Sequence, residues 1–71
     1  MGEPIVDVRD MLCAQALAIV AQAMSGLAPK QMLEIRYDAE DVRRDLTAWA
    51  VERGHPLVES GPLRLRLQRR V

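Results

Sequence analysis

The sequence has 71 residues, of which 49% are hydrophobic, 28% charged and 3% aromatic, with no phenylalanine. That length holds one core, so residues 1–71 read as a single globular domain with an aliphatic interior. Ten basic and ten acidic residues cancel, which removes any global field toward nucleic acid or membrane, and one cysteine with one histidine supplies neither a structural zinc site nor an internal disulfide.

Ile5, Val6, Asp7 and Val8 form a short β-branched run bounded by Pro4 and Asp10, which predicts a first strand. From Cys13 to about Gly26 the chain is rich in Ala and Leu and free of breakers, so it predicts a helix stopped by Gly26 and Pro29. Its apolar run is shorter than the roughly 18 residues of a membrane span. It also follows the acids Glu3, Asp7 and Asp10, where a secretory leader wants a basic start. A cytoplasmic protein is expected. In the next stretch Leu33, Ile35 and Tyr37 alternate with Glu34 and Arg36, a second strand.

Asp38 is placed to cap a second helix, with Glu40 and Asp41 in its first turn. Val42, Leu46, Trp49 and Ala50, with the stem of Arg53, share one face, and Gly54 ends the helix. His55 then reads as a turn residue, the stretch from His55 to Ser60 as a third strand, and Gly61-Pro62 as a tight turn. The last segment sets Leu63, Leu65 and Leu67 against Arg64, Arg66 and Gln68, a strand with leucines to the core and arginines to solvent. The order β-α-β-α-β-β predicts an α/β two-layer sandwich, two helices packed on one face of a four-stranded mixed sheet. The other sheet face is expected to be open.

That order, with a lone cysteine where the first strand meets the first helix, resembles the TusA-like (SirA-like) sulfur-carrier family. The family's run is an aspartate, a glycine three residues on, then C-P-x-P opening the helix. Here Asp7 and Cys13 match at the right spacing, Asp10 stands for the glycine, and Ala14 and Ala16 stand for the prolines. In the second half Asp38, Asp45, Trp49, Gly54 and His55 fall on family positions, and the alternating basic strand at the end is similar too. The resemblance spans residues 5–70.

It implies that Cys13 accepts sulfane sulfur as a persulfide and relays it. The implied partners are a sulfur-donor protein of the cysteine desulfurase or rhodanese type and a downstream acceptor protein, with no cofactor and no metal. Such chemistry needs a thiolate and no second thiol to resolve the persulfide, and there is only one cysteine. A free thiol of pKa near 8.5 is about one-tenth thiolate at roughly pH 7.5, and lowering the pKa by about one unit brings it to about half. A helix N-terminus acts in that direction, Arg9 adds positive charge, and Asp10 opposes it. Gln15, Arg64 and Arg66 are candidate partner contacts. Arginine tails more often form a solvated face or guard an edge strand. Without interleaved aromatics these make no dedicated nucleic-acid platform. A monomer or weak dimer is expected. The alternative reading is a non-catalytic TusA-like interaction or regulatory module in which Cys13 is a small buried apolar residue. The chain is a sulfurtransferase or sulfur carrier only if Cys13 reacts.

Overall fold

The structure, a computed structural model, describes residues 3–70. Its elements are β1 (Ile5–Asp7), α1 (Cys13–Ser25), β2 (Met32–Arg36), α2 (Glu40–Arg53), β3 (Leu57–Gly61) and β4 (Arg64–Gln68). They form a two-layer α/β sandwich on one four-stranded sheet of order β1-β2-β4-β3. β1 pairs with β2 in parallel, while β4 is antiparallel to both β2 and β3. The sheet is therefore mixed, as expected, with β1, β2 and β3 all running one way. Each helix crosses back between two of those strands, so α1 and α2 lie side by side and parallel. Their N-termini meet at the carboxyl ends of β1 and β2.

Period-two patterning makes one sheet face apolar. Leu33 faces Leu67 and Ile35 faces Leu65 in register, and all four are fully buried. Val6 of β1 stands opposite Ile35 and continues this layer. The helices answer with stripes at four-residue spacing: Ala16, Val20 and Met24 on α1, and Val42, Leu46 and Ala50 on α2. Trp49 packs half-buried at the edge of this core, and Arg53 is exposed. The opposite sheet face carries polar and charged groups. Glu34 accepts Arg36 at 3.0 Å there, and Arg66 pairs with Glu3.

α2 ends in a Schellman motif. Gly54 takes φ 77°, its N–H donates to the Val51 carbonyl at 3.1 Å, and the His55 N–H donates to Ala50 at 2.8 Å. Two local expectations are corrected. Asp38 does not cap α2: the cap residue is Ala39, with no side-chain bond, and Asp38 Oδ2 accepts the Asp10 backbone N–H at 3.0 Å instead. That bond ties the β1–α1 loop to the β2–α2 loop. Leu63 is not a core leucine of β4. With Gly61 paired to Arg64, Pro62 and Leu63 form the two-residue hairpin loop, and Leu63 sits at φ 64° and 59% exposed. Proline followed by a positive φ is the type II arrangement, in which the second position favours glycine.

Candidate functional site

Cys13 is the first residue of α1, so alanine at 14 and 16 does not draw the helix start upstream of the thiol. The β1–α1 loop sets that boundary. Val8 donates to the Arg36 carbonyl at 2.8 Å, prolonging the β1–β2 ladder by one residue. Asp10, where the family pattern has glycine, turns the chain at φ 62°. Aspartate tolerates this left-handed conformation better than most side chains. Leu12 then takes an extended conformation, φ −70° and ψ 154°, as the residue that caps α1.

Leu12 has no side-chain acceptor for the helix start. The first helical bond runs from Ala16 N–H to the Leu12 carbonyl at 2.9 Å. The first-turn amides at Cys13, Ala14 and Gln15 thus begin α1 without a side-chain cap, and no acid occupies that turn. Gln15 turns its Oε1 back to accept the Leu12 N–H at 3.4 Å. The two residues that precede Cys13 are apolar, with Met11 half-buried and Leu12 76% exposed.

The thiol itself is half-buried, and its Sγ–H donates to Asp41 Oδ2 at 3.7 Å. Burial pushes its pKa up, and Asp45 through a hydrogen bond and Asp41 through its charge push it the same way. The helix end acts against this shift. The net direction is nonetheless opposite to the one expected from the helix end and Arg9. The Arg9 guanidinium is engaged by Asp7, with Nε on Oδ1 at 2.9 Å and Nη2 on Oδ2 at 2.6 Å. That pair brings the Asp7 carboxyl from its ordinary 3.8 down to about 2.

The other candidates separate. Gln15 stays in the thiol's own helical turn. Arg64 and Arg66 belong to the sheet face away from the helices, where Arg66 binds Glu3 and touches Met32 Sδ at 3.4 Å. His55 lies at the far end of the helix layer, after α2, beside Trp49 with ring centroids 5.5 Å apart. Asp41 and Asp45 are the residues that sequence reasoning missed. They are one turn apart on α2, and only the parallel packing of the two helices brings their turn beside Cys13. Among the described residues no group of three metal-ligating side chains is present, and no helix is long and apolar enough to cross a membrane.

A family model described as "Sulfurtransferase TusA" matches residues 5–69. A protein of Bacillus subtilis (strain 168) named "Putative sulfur carrier protein YrkI" is 30% identical over 58 residues, covering 82% of this chain and 77% of its own.

Proposed function

The chain belongs to the TusA sulfurtransferase family, and from that premise we propose that it is a small sulfur carrier with Cys13 as its persulfide acceptor. The observation that carries this reading is the position of Cys13, a lone, half-buried thiol opening α1 at the carboxyl end of β1. In the reaction, the Cys13 thiolate attacks the outer sulfur of a donor persulfide. The donor's S–S bond breaks, a Cys13–S–S bond forms, and the donor leaves as a thiolate that takes up the proton. A downstream acceptor reverses the sequence. No external oxidant enters, because sulfur moves at an unchanged oxidation level. The uncapped first-turn amides favour the negative charge on the outer sulfur of the loaded state.

The acidic surroundings give the resting thiol its proton. Activation then belongs to the complex: a donor surface that brings positive charge against Asp41 and Asp45 lowers the thiol pKa where sulfur is delivered. Donors of the cysteine desulfurase or rhodanese type fit this scheme. The test is mass spectrometry after incubation with a desulfurase and cysteine, or with a rhodanese and thiosulfate. The expected product is the chain plus one sulfur atom, absent in Cys13→Ser. A chain that stays unmodified, or is equally modified in Cys13→Ser, defeats the proposal.

The same carboxylates favour a second reading, a family member that binds partners without carrying sulfur. It requires a thiol that resists small alkylating reagents in the native state and a Cys13→Ala variant that keeps its partner.

A further inference from the structure

The loop that presents Cys13 has little packing of its own, so its hydrogen bonds decide where the thiol stands. Arg9, Asp10 and Leu12 are exposed. Asp10 turns the chain at φ 62°, a conformation that is costly for a residue with a Cβ. Two of the loop's amides are held locally, Arg9 N–H by Asp7 Oδ1 at 3.0 Å and Leu12 N–H by Gln15 Oε1 at 3.4 Å, two and three residues away. The bond from Val8 N–H to the Arg36 carbonyl extends the sheet before the turn. The bond from Asp10 N–H to Asp38 Oδ2, at 3.0 Å, is made at the turn itself and reaches across 28 residues to the β2–α2 loop.

Asp38 makes this bond in place of a cap on α2, whose cap residue Ala39 supplies no side-chain acceptor. Its carboxylate thereby joins the start of the helix that carries Asp41 and Asp45 to the start of the helix that carries the thiol. The 3.7 Å contact between Cys13 Sγ and Asp41 Oδ2 spans that joint. Burial first, then Asp45 and Asp41, raise the pKa of the thiol. All three depend on where the loop sets the first turn of α1.

We infer that Asp38 is a positioning residue for sulfur transfer at Cys13: by holding the Asp10 amide it fixes the first turn of α1 against α2, and so sets how far the thiol stands from Asp41 and Asp45. The inference rests on Cys13 being the sulfur acceptor, but its test reads the unloaded thiol.

Asp38→Ala removes the acceptor, whereas Asp38→Asn removes the same charge and keeps a side-chain oxygen that can accept the Asp10 N–H. Asp38 is exposed, so neither variant disturbs the core, and an unmoved Trp49 indole N–H in ¹H–¹⁵N NMR checks that the fold is kept. Two quantities are read in each: exchange of the Asp10 amide with water by NMR, and the pH midpoint of Cys13 alkylation by iodoacetamide. In Asp38→Ala the amide should exchange about tenfold faster, the scale of one lost hydrogen bond. The alkylation midpoint should move to lower pH, because the freed turn lets the thiol toward water and away from the carboxylates. Asp38→Asn should keep both close to their wild-type values. A midpoint that stays put in Asp38→Ala, or that Asp38→Asn moves as far, overturns the assignment. Sulfur loading is measured separately, so a chain that loads sulfur but shows no such shift refutes the positioning role and leaves the carrier reading in place.

Discussion

The half-buried Cys13 thiol stands beside the exposed carboxylates of Asp41 and Asp45, and its reactivity follows from that company. Both carboxylates disfavour a second negative charge beside them, so neutralising either stabilises the thiolate. Asp41→Asn and Asp45→Asn should each speed alkylation by iodoacetamide severalfold at a fixed pH below the thiol's pKa. Each should also move the midpoint of the rate–pH curve to lower pH, and an unmoved midpoint in both variants removes the carboxylates from the account. Asp7 titrates at the other end of the scale. Its folded pKa of about 2 lies below the ordinary 3.8, so the stabilisation it contributes is present above the unfolded value and is lost as pH falls through the folded one. Asp7 is exposed and its pair with Arg9 is screened, so the effect is small. Acid titration of stability between about pH 4 and pH 2 should be flatter in Asp7→Asn than in the wild-type chain. Cys13 was legible because a strand pattern meets a helix pattern there. Asp41 and Asp45 were not, because a separation of 28 residues to Asp41, and more to Asp45, carries no trace of a contact made only by packing.

At the scale of elements, the turns bear the strain. Among the described residues, three other than glycine take positive φ: Asp10 at 62°, Lys30 at 68° and Leu63 at 64°. Leu63 is the least suited to it, and its exposed side chain gives little packing in return. Leu63→Gly relieves the steric cost but frees the unfolded chain, so a net gain of about 0.5–1 kcal/mol is expected in urea unfolding. Gly54→Ala runs the other way. A Cβ at φ 77° is strained, and it would stand 2.9 Å from Arg70 Nη1, a side chain able to swing aside. The backbone term therefore dominates, and a loss of about 1 kcal/mol follows. The four strands and two helices could be read from period-two and period-3.6 patterns because one face of each element is buried. Leu63 misled because alternation extends past the end of a strand whenever the turn also holds a leucine. Asp38 misled because a good cap residue has rival partners, here the Asp10 amide.

For the molecule as a whole, one thin apolar layer separates two ends with different chemistry. The helix N-termini hold the thiol and its carboxylates, whereas the C-termini hold the cleft between Trp49, Arg53 and Arg69. The sandwich order was readable from the sequence because βαβ crossovers leave few topologies. The cleft was not, since it is made where the ends of α1, α2 and β4 happen to converge. Leu33, Ile35, Leu46, Leu65 and Leu67 carry most of the fully buried side-chain volume. At roughly 0.05–0.15 kcal/mol per residue, a chain this short has a total stability of about 4–11 kcal/mol. Leu46 stands at the centre of α2's apolar stripe, and Leu46→Ala opens a void that the sheet beneath cannot fill by moving one strand alone, because β2 and β4 are paired over their whole length. A cost of about 3 kcal/mol is expected, with a range of about 2–5. Val51 is 71% exposed on the same helix, so Val51→Ala should stay within about 0.5 kcal/mol. Urea unfolding of the two variants beside the wild-type chain decides the point, and comparable losses in both would mean that α2 is not held through its Leu46 face.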